Sequence, residues 1–169
     1  MKIVKYHGVY KVYYKKHQDQ RGFFHEVVKN NYLNINGNKI FFRQDNISHS
    51  KKNVFRGFHF QKNPYQQGKL IHVIKGSITD LFFKLTNRKK STVHSIFLSD
   101  KDNFMIYIPD NFAHGFYTHS SRNIVMYKCT KLYMPKSESG YFYGSKDLIY
   151  KDFNFSSIKP ITSSRDLSW

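Results

Sequence analysis

The run Val54-Phe55-Arg56-Gly57-Phe58-His59-Phe60-Gln61, followed by Lys69, gathers an imidazole, a guanidinium and an amine within a short span. Imidazole is the side chain best matched at neutral pH to taking a proton from carbon beside a carbonyl. The enolate left behind needs a fixed positive charge at its oxygen, which a lysine supplies, and an arginine suits a phosphate that tethers the substrate. Proton abstraction from a bound ketone is the chemistry these residues predict. Two-residue periodicity sets Gly57, His59 and Gln61 on one strand face and Val54, Arg56, Phe58 and Phe60 on the other. A histidine in such a place is more often a hydrogen-bonded core residue than a base, so the strand alone does not decide.

A second stretch runs from Ile108 through His114 to Phe116 and is followed by Met126-Tyr127-Lys128-Cys129-Thr130. A phenol beside a pocket can protonate a carbanion that forms opposite it. With 13 tyrosines in the chain, only context selects one. Nine histidines also raise the question of a metal. Barrel sites for first-row metals take two imidazoles one residue apart with a carboxylate soon after. His59-Phe60-Gln61 offers neither, and the spacing of His114 and His119 turns their rings to opposite faces of a strand. No metal site is expected.

The elements that must hold these groups read as strands. Apolar or alternating runs recur at Gly8 to Tyr14, Phe23 to Val28, Lys39 to Gln44, Val54 to Phe60, Lys69 to Ile74 and Ser77 to Leu85. They continue at Val93 to Leu98, Phe104 to Ile108, Phe112 to Tyr117 and Ile124 to Leu132. Turn signals such as Asn36-Gly37-Asn38, Lys75-Gly76-Ser77 and Pro109-Asp110-Asn111 separate them. Many short strands at close spacing predict an all-β barrel or sandwich. Helix is expected only at Glu26 to Leu33, with a turn near Ser145 to Ile149.

At 169 residues the chain fits one domain, 1–169. Its longest apolar runs, such as Leu81-Phe82-Phe83, fall far below the roughly 18 to 20 residues that span a bilayer, and no signal-peptide apolar region opens it. A cytoplasmic protein without a membrane partner is expected. The single cysteine, Cys129, has no partner for a disulfide and reads as a plain strand residue. A formal charge of +17 ordinarily argues for a polyanion. Here the lysines are dispersed, and Ala113 is the one alanine beside a surplus of Lys, Asn, Ile, Phe and Tyr, which have A/T-rich codons. The charge reads as genome composition on a solvated surface, and no nucleic-acid partner is expected.

Ordered motifs carry a resemblance. They are Arg21-Gly22-Phe23-Phe24-x-Glu26, Gln44-Asp45-Asn46-x-Ser48, Arg56 to Gln61, Lys69-Leu70, Gly76-x-x-x-Asp80 and Pro109-x-x-Phe112-Ala113-His114-Gly115-Phe116. Tyr127-Lys128, Tyr133-x-Pro135, Ser137-Glu138 and Ser164-Arg165-Asp166 complete the series. With these, the chain from about Arg21 to Asp166 resembles the dTDP-4-dehydrorhamnose 3,5-epimerases. The resemblance implies a cupin-type double-stranded β-helix, a jelly-roll barrel with a few short helices, working without a cofactor on a nucleotide-linked 4-keto-6-deoxy sugar. It implies His59 as base, Asp166 as the carboxylate orienting it, Tyr127 as proton donor on the opposite sugar face, and Lys69 at the enolate oxygen. The C-terminal stretch, polar enough to pass for a loose tail, must then fold back into the pocket. Arg56 is implied for the diphosphate, and Arg21, Glu26, Gln44 and Asn46 for the nucleotide, with Phe24 packing on its base. Asp80, His114, Tyr133, Glu138 and Arg165 are further implied substrate positions. A homodimer whose N-terminal strands cross to the partner is also implied.

The pattern departs from the family at Lys84 and Thr86, and at Tyr143-Gly144-Ser145. Those departures leave substrate identity and the inverted centres, C3, C5 or both, open. Two rivals stand beside this reading: a cupin ketoisomerase moving the carbonyl between C3 and C4, and a non-catalytic nucleotide or nucleic-acid binding module.

Overall fold

Strands that are apolar on both faces need cover on both sides, and Lys69–Lys75 shows how the chain meets that need: Ile71 and Val73 face one core while Leu70 faces another. The computed structural model describes residues 2–169. One six-stranded sheet runs β1 (Lys2–Tyr6), β2 (Val9–Tyr13), β12 (Phe104–Ile108), β9 (Lys69–Lys75), β14 (Asn123–Cys129), β7 (Gln44–Ser50). The second runs β15 (Glu138–Gly140), β8 (Phe55–Gln61), β13 (Phe112–Thr118), β10 (Ser77–Lys84), β11 (Ser91–Ser99), β16 (Leu148–Tyr150). Between them lies the first core, which includes Val9, Ile71, Ile106 and Val125 from one sheet and Ile78, Phe82, Ile96 and Phe116 from the other. This is the jelly-roll arrangement expected from the motifs.

Each sheet is also covered outside. The hairpin β5 (Tyr32–Ile35) and β6 (Asn38–Phe41) lays Leu33 and Ile35 over Leu70, Met105 and Tyr107. On the far side Phe55, Phe58, Leu81 and Phe83 pack under Tyr141, Tyr143, Phe153 and Phe155 of the C-terminal segment.

The helix expected over Glu26 to Leu33 does not form. Asn30 and Asn31 take left-handed φ values of 51° and 54°, and Asn31 Nδ2 donates to Phe42 O at 2.6 Å. Asn36 and Gly37, at φ 51° and 84°, then close a two-residue hairpin turn that draws Tyr32–Ile35 into a strand. Of the strand expected at Phe23 to Val28 only Phe23 and Phe24 are extended, in β4 (Gly22–Phe24), which pairs with β3 (His17–Asp19). Val27 and Val28 instead lie in a loop against the outer core. Near Ser145 to Ile149 the chain makes a turn and then strand β16, parallel to β11, because Leu148 is needed in the outer aromatic core.

Period two also breaks inside β8. His114 of β13 pairs with His59, but Phe116 pairs with Arg56, so β8 carries one residue more than its partner. Gly57 sits at this bulge with φ 136° and against Gly115, where a β-carbon has no room. The slip puts Phe55 and Phe58 together in the outer core and turns Arg56 and His59 to the same inner side. Strict alternation had placed Arg56 opposite His59.

On the outer face of β9, His72 is buried against Tyr14 and His25. Tyr14 Oη donates to Asp102 O at 3.0 Å, so His72 Nε2, 3.3 Å away, is the donor to the phenol oxygen. Burial first, then His25 and Lys16, pushes this imidazole from 6.5 down to about 4. The unfolded chain therefore binds a proton before the native state does as pH falls. Stability contributed by neutral His72 is present above pH 6.5 and is lost as pH falls toward 4, by on the order of 3 kcal/mol. Urea midpoints should drop across that window, and His72→Gln should flatten the drop.

Candidate active site

The inner surface changes character along the barrel. At one end the sheets meet through aliphatic side chains; toward the other, the inward positions of β7, β8, β9 and β14 become polar and enclose a cavity of about 830 Å³. That volume suits a large polar ligand. Alternation on β14 points Val125 to the core and Tyr127 and Cys129 to the cavity, and β7 adds Gln44, Asn46 and Ser48.

The C-terminal segment closes one wall. Phe55 N donates to Ile161 O at 2.9 Å and Ile161 N to Asn53 O at 2.7 Å, which pins the chain beside β8. Ser163 then caps a short helix α1 (Ser164–Ser168), its Oγ accepting from Asp166 N at 3.2 Å. Asp166 is thereby buried with Oδ1 2.6 Å from His59 Nε2. Burial alone raises a carboxyl pKa, but here the hydrogen bond and charge of His59, with the side-chain and backbone hydrogen bonds of Ser163, hold Asp166 below its ordinary value. An ionised carboxylate only accepts, so His59 Nε2 carries a proton toward Asp166, and Nδ1 is the ring nitrogen left to meet a ligand. The ring's 32% exposure leaves it accessible to a ligand in the cavity.

Tyr127 and Lys69 lie on adjacent strands of the opposing sheet. Burial, followed by Cys129, raises the Tyr127 phenol above its usual range, with Arg56 opposing, so it is a protonated donor at neutral pH. Burial pushes the Lys69 ammonium down, and Cys129, Asp80 and Glu138 act against that. Arg56 spends Nε on Ser50 Oγ at 3.0 Å and Nη2 on the His49 carbonyl at 3.2 Å, which leaves Nη1 for an anion. At the rim, Tyr133 Oη donates to Glu138 Oε2 at 2.8 Å, and Arg165 grips the same oxygen. The site thus offers a base, a facing acid and fixed cations, the needs of enolate chemistry on a phosphorylated ketone.

The cavity gathers His59, Lys69, Tyr127, Asp166, Gln44, Asn46, Arg56, His114, Tyr133, Glu138 and Arg165. Asp80 does not line it; with 0% exposure it lies behind the wall, which corrects its expected place as a substrate contact. Arg21, Phe24 and Glu26 also stand outside, on or next to the β3–β4 hairpin, where Phe23 and Phe24 are 56% and 66% exposed and Arg21 pairs with Asp19. Cys129, read as a plain strand residue, is a wall residue whose Sγ accepts from Asn46 Nδ2 at 3.6 Å. Its two-residue offset from Tyr127 was the available signal. Gln67 had none, being in a loop. The departures at Lys84, Thr86 and Tyr143 fall outside the cavity, the first two exposed and the third in the outer aromatic core.

Fold and site together define a class: jelly-roll isomerases that act by acid–base chemistry on a carbon acid. The model of the dTDP-4-dehydrorhamnose 3,5-epimerase family matches residues 4–169, and the chain belongs to that family. It is 39% identical over 156 residues to the dTDP-4-dehydrorhamnose 3,5-epimerase of Methanothermobacter thermautotrophicus, covering 89% of this chain and 82% of the relative. The Salmonella typhimurium enzyme of the same name is 37% identical over 153 residues, with 88% and 81% covered. Among solved structures, the dTDP-6-deoxy-D-glucose-3,5-epimerase of Legionella pneumophila in complex with dTDP-4-keto-L-rhamnose superposes with a TM-score of 0.86 at 31% identity, covering 99% and 90% of the chains. The Bacillus anthracis dTDP-4-dehydrorhamnose 3,5-epimerase, with TDP and PPi bound, gives 0.85 at 33% identity and 98% and 96% coverage. Among the described residues no helix is long and apolar enough to cross a membrane.

Proposed function

We propose that this chain epimerises C3 and C5 of a dTDP-linked 4-keto-6-deoxyhexose, converting dTDP-4-dehydro-6-deoxy-D-glucose to dTDP-4-dehydro-L-rhamnose. The observation that carries the reading is the His59–Asp166 contact of 2.6 Å, facing Tyr127 and Lys69 in one cavity. The C4 ketone acidifies both neighbouring C–H bonds, so one base and one acid serve each centre in turn. His59 Nδ1 takes the proton while Asp166 stabilises the imidazolium formed. Lys69 meets the C4 oxygen as it becomes an enolate, and Tyr127 returns a proton to the other face. Arg56 is suited to the diphosphate. Proton NMR in heavy water, with dTDP-4-dehydro-6-deoxy-D-glucose as substrate, tests this: deuterium should enter C3 and C5 with inversion while the carbonyl stays at C4. Migration of the carbonyl to C3 would identify a ketoisomerase instead.

The reading includes a homodimer with shared sites. Its support is the β3–β4 hairpin, which holds Arg21 and two exposed phenylalanines away from the cavity of its own chain. Residues suited to a nucleotide yet remote from their own site are useful to a neighbour's. Mixing provides the check. Arg21→Ala and His59→Ala variants, each impaired alone, should on co-refolding regain about a quarter of the unmodified activity, because half the dimers are mixed and each mixed dimer has one intact site. No recovery would place Arg21 and His59 in the same chain's site.

A further inference from the structure

We propose that Trp169 is a positioning residue for this reaction, seating its indole on Gly140 so that the short helix carrying Asp166 stays fixed against His59. The proposal rests on the roles given to His59 and Asp166 above. Helix α1 has five residues, Ser164–Ser168, too few to be stable without contacts from the rest of the barrel. Asp166 within it must nevertheless keep Oδ1 2.6 Å from His59 Nε2. Upstream, the backbone bonds of Ile161 and the Ser163 cap tether the helix. Downstream of Asp166 the anchors are fewer: Leu167 is 55% exposed, and Ser168 Oγ donates back to Arg165 O within the same segment. Arg165 reaches Glu138 from an exposed position, where an ion pair contributes little. Trp169, at the C-cap, is only 37% exposed, so most of its side chain is covered.

The covering surface is β15. A β-carbon on Gly140 would stand 2.6 Å from both Cδ1 and Nε1 of Trp169 and 2.5 Å from Phe58 O. Gly140 is not among the residues with positive φ, so its backbone conformation does not call for glycine; the space taken by the indole and by Phe58 O does. In the β15–β8 ladder Gly140 is the register partner of His59, and next to it Tyr141 N donates to Phe58 O at 3.1 Å. The indole therefore rests on the residue directly across from the base, three positions after the carboxylate that orients it. Ring and carboxylate grip one pair of strands from one helix. Without the ring the helix is held mainly from upstream, and a small displacement of Asp166 lengthens the hydrogen bond on which both the tautomer and the imidazolium depend.

Trp169 is the one tryptophan in the sequence, so its fluorescence reads the seat directly. In the unmodified protein its emission should lie to the blue of N-acetyltryptophanamide and be quenched more weakly by acrylamide. A fully solvated indole overturns the proposal, whether or not any variant folds. Trp169→Ala should lower kcat about ten- to a hundred-fold, the cost of a misplacement of about 1 Å. Trp169→Phe should bring kcat back to within about three-fold of the unmodified value, because a flat ring fits the same seat. In an Asp166→Asn background, Trp169→Ala should change kcat by less than about two-fold, since a residue that acts through the carboxylate has nothing left to position. Full activity in Trp169→Ala, no recovery in Trp169→Phe, or a loss repeated in the Asp166→Asn background overturns the proposal. Asp166→Asn alone separates the two readings: if it keeps full activity, the role given to Asp166 itself fails, whatever Trp169 does.

Discussion

His59→Ala should lose both deuterium entry from solvent and inversion at C3 and C5, with the rate falling by roughly 10³–10⁴-fold. The reason is specific to the geometry. On the proposed reading Asp166 fixes the tautomer, so the lone pair used as the base is that of Nδ1, and no other imidazole in the cavity is paired with Asp166. His114, the cross-strand neighbour of His59, is pushed toward permanent neutrality by burial and is turned to Asp80. Asp166→Asn should approach the same loss, by about 10²–10⁴-fold, without removing the imidazole, because an amide can donate to Nε2 and leave the proton on Nδ1. Circular dichroism should report an unchanged fold in both variants. Retention of C–H exchange in His59→Ala would sink the assignment of the base.

Tyr127→Phe should separate two events that occur together in the unmodified enzyme. The base is intact, so a proton can still leave C3 and return as deuterium from the same side, giving exchange without inversion. Delivery from the opposite face requires the phenol, and product formation should fall by about 10²–10³-fold. Because burial raises the phenol's pKa, the unmodified enzyme holds this proton well above neutral pH, and loss of the donor should not limit activity near pH 7. Exchange and inversion falling together in Tyr127→Phe would mean that Tyr127 acts on enolate formation rather than on its capture. The bulge in β8 matters for both variants: it turns Arg56 and His59 inward together, so the anchor and the base address one ligand.

The residues themselves determined most strands of the two six-stranded sheets, though not β1, β15 or β16. Their apolar positions repeat over whole elements, and Phe104–Ile108 was bounded to the residue by its own run. The chemistry of the site was also legible, since imidazole, amine, phenol and carboxylate have reactivities that do not depend on fold, and their motifs brought the family with them. Strand β7 was read only at its first residue. Gln44–Ser50 is polar because it faces a polar cavity, so it lacks the apolar alternation by which a strand is recognised. The Tyr32–Ile35 strand was hidden for a related reason: its pairing follows from a turn and from the core it covers, not from local preference.

Tertiary structure alone decided which side of β8 Arg56 faces, because one inserted residue reverses parity and leaves no mark on composition. It alone separated Asp80, buried behind the wall, from the residues that line the cavity, and left Arg21, Phe24 and Glu26 outside it. Proximity between residues far apart in the chain, such as His59 and Asp166, is a property of packing that only the assembled barrel expresses.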